Sequence, residues 1–117
     1  MSTIFDSHCH PQFPQYKNDR EEMIKRTLDG GVFMICVGTD LETSKSGIEL
    51  AQKHDGIWAT VGMHPNDADE LYQGQNISPE RFDKFVHLMN EGKVVAVGEV
   101  GLDYYRTTQL EKQKRQK

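Results

Sequence analysis

Cysteine is scarce: Cys9 and Cys36 are the only two in 117 residues, so no disulfide framework and no all-cysteine zinc cluster holds this chain together. Long apolar stretches are missing as well. The longest run, Val32 to Val37, is far too short to cross a bilayer, which excludes a membrane-spanning helix. Positive charge is not in excess. With 14 basic and 18 acidic side chains the net charge is −4, so no global basic field draws in a polyanion. Any phosphate binding has to come from local groups or a bound ion. No glycine-rich phosphate loop, Cys-x-x-Cys pair or Gly-x-Ser-x-Gly elbow occurs, so nucleotide-loop, dithiol and serine-hydrolase chemistry have no foothold. The first residues are polar and include Asp6 and His8, unlike a secretory signal, and the expected location is cytoplasmic.

What is present is an alternation. Four apolar runs recur, at Ile4-Phe5, Val32 to Val37, Ile57 to Val61 and Val94 to Val97, and the last three are β-branched or flanked by glycine, which favours strand. Helical stretches separate them. Asn18 to Asp29 starts with Asn18 and has Glu21 three residues on, a capping-box pattern, and it stops at Gly30-Gly31. Thr39 to His54 repeats the device with Thr39 and Glu42, and offers Leu41, Ile48 and Ala51 to a core. Ser78 to Glu91 has Ser78 as cap, Pro79 at the first helical position and Gly92 as stop, with a stripe of Phe82, Phe85, Val86 and Met89. The order β-α-β-α-β-α-β implies parallel strands with right-handed crossovers. Val94-Val95-Ala96-Val97 reads as a strand buried on both faces. Met63 to Ile77 is a long polar connection of the kind that often carries function. Glu111 to Lys117 reads as the start of a polar helix.

The chemistry-bearing residues gather at predicted strand ends, where parallel α/β proteins place their sites. His8 and His10, at i and i+2 on a strand, share a face and can approach one ion while Cys9 points away. Alone, His-x-His also describes a surface pair. Glu99 ends an apolar run, where a buried carboxylate needs a partner, either a metal or an arginine. The histidine pair tips the balance toward a metal. His64, in Gly62-Met63-His64-Pro65, can orient a phosphate oxygen or transfer a proton, or be a satisfied loop histidine. Arg106 can pair a phosphate, Tyr104 or Tyr105 can stack on a base, and Asp103 can orient a ligating imidazole. Equally, Asp103 and Arg106 can pair with each other. His54 and His87 read as structural or solvent-facing, and Cys9 as a small apolar group.

Asp6-Ser7-His8-Cys9-His10, Gly62-Met63-His64-Pro65 and Gly98-Glu99-Val100-Gly101-Leu102-Asp103-Tyr104-Tyr105 resemble, in order and spacing, the N-terminal part of the TatD family of metal-dependent deoxyribonucleases. The resemblance implies an α/β fold, the N-terminal half of a TIM (β/α)8 barrel with four parallel strands and three complete crossovers. Residues 1–117 are then a partial metal-dependent hydrolase domain. It also implies one or two divalent ions (zinc, magnesium or manganese), DNA as substrate and hydrolysis of its phosphodiester bonds. His8, His10 and Glu99 would be metal ligands, with Glu99 placed to bridge two ions, and His64 would lie by the substrate phosphate; Asp103 and Arg106 are, on their own chemistry, the substrate-binding candidates beside them. A whole barrel takes roughly 250 residues. The family's later histidines, and the late aspartate that accepts a proton from the attacking water, are not among these 117 residues. The expected half barrel leaves sheet edges open to self-association. Two rival expectations stand beside this one: a hydrolase of another ester or an amide on the same barrel, and a catalytically inactive metal-binding fragment.

Overall fold

The computed structural model describes residues 3–117. Strands β1 (Ile4–Cys9), β2 (Val32–Cys36) and β3 (Ile57–Val61) alternate with helices α1 (Arg20–Asp29) and α2 (Leu41–Lys53). A 3-10 helix (Pro65–Leu71) and a small antiparallel hairpin, β4 (Tyr72–Gln73) with β5 (Asn76–Ile77), follow β3. Then come α3 (Pro79–Met89), β6 (Val94–Val97) and a short α4 (Leu110–Arg115). The sheet order is β1-β2-β3-β6, and every neighbouring pair is parallel. This is the parallel arrangement expected from the strand and helix alternation, in the half-barrel form that the resemblance implied, and it leaves β1 and β6 as open edges.

The period of the strands explains the core. Met34 and Cys36 of β2 alternate toward the helices together with Ile57, Ala59 and Val61 of β3. There they meet Ile24 of α1, Ile48, Leu50 and Ala51 of α2, and Phe85 of α3. Burying each of the larger side chains stabilises the fold by about 1.5–3 kcal/mol. The opposite face carries Phe5, Phe33 and Trp58, whose rings meet at centroid distances of 5.5 to 6.4 Å. Lys93 Nζ lies 5.1 Å over Trp58. This inner face is open: Phe5 is 49% exposed and Phe33 37%. The radius of gyration is 15.6 Å, above the about 13 Å of a compact chain of this length.

Several boundaries differ from the sequence expectation. The cap of α1 is Asp19 rather than Asn18, and it makes no side-chain capping bond. The cap of α2 is Asp40 rather than Thr39. The Asp40 carboxylate accepts from both N–H and Oγ1 of Thr43 at 2.7 Å, and Thr43 Oγ1 accepts from the Asp40 N–H at 3.1 Å. A carboxylate outcompetes the neighbouring hydroxyl because its bonds are charge-assisted. Ser78 caps α3 as expected, but the helix ends at Met89. The α3 stripe is only partly buried: Phe85 is 5% exposed, whereas Phe82 is 46% and Val86 40%. Nor is β6 covered on both faces, since Val95 is 53% exposed and Val97 58%. Both departures have one cause. β6 is the sheet's last strand, and Phe82, Met89, Val97 and Val100 line an open apolar groove beside it.

Cys9 is half-buried and donates its thiol to the Ile35 carbonyl, while Cys36 is wholly buried. Burial, reinforced by Cys9, pushes the Cys36 thiol from 9.0 up to about 12. The thiolate is therefore the disfavoured form in the folded state. Its contribution to stability is complete below pH 9.0 and disappears as pH climbs toward about 12. Cys36 is expected to resist alkylation by iodoacetamide at neutral pH and to react once the chain is unfolded in urea. Equal rates in the two states would contradict the packing described.

Candidate metal centre

His8 and His10 belong to one edge of the sheet and Glu99 follows the other. Three strand spacings of about 4.8 Å would hold these edges about 14 Å apart in a flat sheet. Yet His8 Nε2 lies 3.6 Å from Glu99 Oε2, and His10 Nε2 lies 3.7 Å from the same oxygen. One donor atom from each of the three residues falls within 4.8 Å of the others. The sheet curls, and its last connection leans inward. Past β6, the Glu99 N–H crosses the end of β3 to reach the Gly38 carbonyl after β2, at 2.7 Å. Gly62 makes room for that crossing, because a Cβ there would overlap the Gly98 carbonyl group.

Two buried hydroxyls hold the crossing. Thr60 Oγ1 donates to the Gly98 carbonyl at 2.7 Å and accepts from the Gly38 N–H at 3.3 Å, so one side chain ties together the ends of β2, β3 and β6. Ser44 of α2 accepts from the Gly62 N–H at 3.2 Å. On the other edge, β1 has one extra residue between Asp6 and Cys9 relative to β2. This bulge swings the chain so that the rings of His8 and His10 meet edge to face at 5.1 Å. The Asp6 carboxylate accepts the His8 backbone N–H at 3.1 Å. His10 Nδ1 faces the Val37 carbonyl at 2.8 Å, so it must be the protonated nitrogen, and its Nε2 lone pair is directed at the centre. Phe13 stacks on that ring at 4.4 Å, and Gln12 Nε2 donates to the same Val37 carbonyl.

The arrangement fits a metal ion. The donors lie too far apart for good hydrogen bonds. They lie close to the about 3.3 Å separation of neighbouring ligands around a tetrahedral zinc with bonds of about 2.0–2.1 Å. Two imidazoles and a carboxylate suit zinc and its transition-metal neighbours better than magnesium.

His64 caps the 3-10 helix and joins the cluster from β3. Its Nε2 is 4.0 Å from Glu99 Oε1, the oxygen not shared by His8 and His10. Its Nδ1 accepts from the Asn66 N–H at 3.2 Å, and its own N–H donates to the Thr39 carbonyl at 2.7 Å. Asp103 and Arg106 form a turn beside this ring of donors, not within it. The Asp103 carboxylate accepts the Arg106 N–H at 3.0 Å. That bond, aided by the Arg106 charge and by Asn66, holds its pKa below the usual carboxylate range. The turn is latched to the His64 loop by Thr107 Oγ1, which donates to Asn66 Oδ1 at 2.9 Å. Tyr105 is 93% exposed and Tyr104 41%. His54 lies 3.4 Å from Glu21 in a structural pairing, away from the cluster.

Thr60, Ser44, Gln12, Asn66 and Thr107 were not among the residues singled out from sequence. Thr60 carries a usable signal, as the single hydroxyl within the apolar run Ile57 to Val61. The others act through contacts between distant segments and have no local pattern.

A family model described as TatD related DNase matches residues 5–117. The 3'-5' ssDNA/RNA exonuclease TatD of Salmonella typhimurium is 33% identical over 104 residues, covering 88% of this chain and 38% of that protein. The metal-dependent hydrolase YabD of Bacillus subtilis is 36% identical over 103 residues, with 87% and 38% covered. Among solved structures, the TatD homologue YjjV of Escherichia coli superposes with a TM-score of 0.77 at 28% identity, covering 97% of this chain and 42% of that one. The chain thus spans about two fifths of the length of these relatives.

Replacing Thr60 with valine keeps shape and removes both hydrogen bonds. The expected loss is about 1–3 kcal/mol in urea unfolding, recovered in part by Thr60→Ser. Equal stability of the valine and serine variants would show that the hydroxyl does not brace the strand ends.

Proposed function

Because the chain belongs to the TatD-related DNase family, we propose that it contributes the metal-binding half of a barrel hydrolase that cleaves phosphodiester bonds in DNA, from single strands. Residues 1–117 would form the first half of that barrel domain, working in the cytoplasm. Among the described residues no helix is long and apolar enough to cross a membrane. The observation that carries the reading is the convergence of His8, His10 and Glu99 from opposite sheet edges onto one point. The activity for which the Salmonella relative is named, an exonuclease on single-stranded DNA and RNA, supports the substrate class.

In this reading His8 and His10 ligate through Nε2 and Glu99 through its carboxylate. A bound divalent ion supplies a Lewis acid that makes a water nucleophilic near neutral pH and offsets charge growing on the phosphoryl oxygens. Glu99 keeps Oε2 toward the imidazoles and turns Oε1 toward His64, and its carboxylate would serve one ion or two. His64 meets the scissile phosphate. Arg106, exposed on the turn that Asp103 secures, pairs a flanking phosphate, so that Asp103 and Arg106 together hold the strand. The open edges β1 and β6 and the exposed inner aromatics support self-association of the 117-residue chain.

Zinc, manganese and magnesium are titrated calorimetrically into the chain, and the whole barrel that includes it is assayed with each metal on a labelled single-stranded oligonucleotide. Metal-dependent release of nucleotides is expected. Glu99→Ala is expected to lower metal affinity by at least about 10-fold and to abolish cleavage. Undiminished affinity in Glu99→Ala would remove the ligand assignment. Turnover of small esters or amides without any cleavage of DNA would transfer the reading to another hydrolase on the same barrel. Tight metal binding with no turnover of any substrate would leave a metal-binding fragment. Sedimentation is expected to show an average mass that rises with concentration, and a monomer at every concentration would remove the self-association.

A further inference from the structure

We infer that the backbone sorts the histidines of this centre into opposite tautomers, and that His64 is held as the Nε2–H form, a hydrogen-bond donor facing the site rather than a metal ligand. Each Nδ1 meets a different backbone group. For His10 that group is the Val37 carbonyl, which can only accept, so Nδ1 carries the proton and Nε2 is free to ligate. For His64 it is the Asn66 N–H, which can only donate, so Nδ1 is the bare nitrogen and the proton resides on Nε2.

A second contact gives the same answer. His64 Nε2 faces Glu99 Oε1 at 4.0 Å. A lone pair aimed at a carboxylate oxygen is repelled, whereas an N–H is attracted. The gap is too long for a direct bond and leaves an oxygen of water or substrate within reach of the N–H. The ring has little freedom to change this. The backbone of His64 is pinned to Thr39, and Pro65 restricts the conformation of His64 before it. The Asn66 side chain is latched by Thr107, which is only 8% exposed. Thr107 is thus a positioning residue, acting on His64 through Asn66. The tautomer rests on this geometry alone, and only the identification of the accepting oxygen as a phosphate oxygen rests on the hydrolase reading.

The test is long-range hydrogen–nitrogen correlation NMR on the nitrogen-labelled chain, in chelator and above the imidazole titration range. The expected spectrum shows His64 protonated on Nε2 and His10 on Nδ1. A His64 protonated on Nδ1 overturns the inference. Zinc is then added. Nε2 of His8 and His10 should shift while His64 keeps its Nε2 proton, and loss of that proton to zinc also overturns it. Inorganic phosphate, added to the zinc-loaded chain, should move the His64 Nε2 proton downfield, and no movement removes the donor role. Thr107→Val should give mixed His64 tautomers and Thr107→Ser should restore the single form. An unchanged valine spectrum removes the positioning role of Thr107. Absence of nuclease activity would defeat the hydrolase reading without altering these spectra, and the reverse tautomer would defeat the inference with any nuclease activity intact.

Discussion

The passage of the chain across the end of β3 is the constraint on which the rest depends. Without it, β1 and β6 stand at opposite edges of a four-stranded sheet and their histidines and glutamate never meet. The passage requires that the residue just after β3 have no side chain, and Gly62 meets that need. It also requires the backbone groups it displaces to find partners, because buried amides and carbonyls are expensive to leave unpaired. The bonds from Glu99 to Gly38, Gly98 to Val61 and His64 to Thr39 are those partners. The interior here is therefore polar and hydrogen-bonded, while the core one layer away, under α1 and α2, is aliphatic.

The division of labour follows from that layering. Met34, Cys36, Ile57, Ala59 and Val61 secure the sheet to its helices and leave the strand ends to be set by hydrogen bonds. Thr60 and Ser44 take positions where an apolar residue would pack as well, and each contributes a hydroxyl that both donates and accepts. Val37 shows the economy of the scheme, since its single carbonyl orients the His10 ring and receives the Gln12 amide. The geometry of the His8, His10 and Glu99 cluster is thus a property of the backbone as much as of its side chains.

Local periodicity and punctuation made the four sheet strands, the order of the crossovers, the Ser78-Pro79 helix start and the His-x-His and glutamate pairing legible in the sequence. What stayed hidden depends on contacts between remote segments. The cap of α2 moved by one residue because the Asp40 carboxylate takes both the N–H and the Oγ1 of Thr43, while the Thr39 hydroxyl meets Thr43 Oγ1. Phe82 and Val86 form a well-spaced stripe, yet spacing tells only that a face is apolar, not that something covers it. The long connection after β3 proved to be a 3-10 helix and a hairpin, on which α4 docks through Arg115 stacked on Tyr72 at 4.9 Å and Lys112 beside Asp69 at 3.6 Å. No motif announces the Thr107–Asn66 latch, although it controls the environment of a histidine the motifs do announce.

That the donor set straddles both edges of the sheet has a mechanical side. A cluster drawn from one strand and its neighbour would tolerate changes in sheet shape, but one that spans every strand works as a gauge of curvature. A slight flattening anywhere, including among Phe5, Phe33 and Trp58 at the far end of the strands, is multiplied across three strand gaps before it reaches His8 and Glu99. If the cluster holds the ion as proposed, cation affinity would therefore report on the shape of the whole half barrel, and side chains with no contact to the ion would have leverage over it.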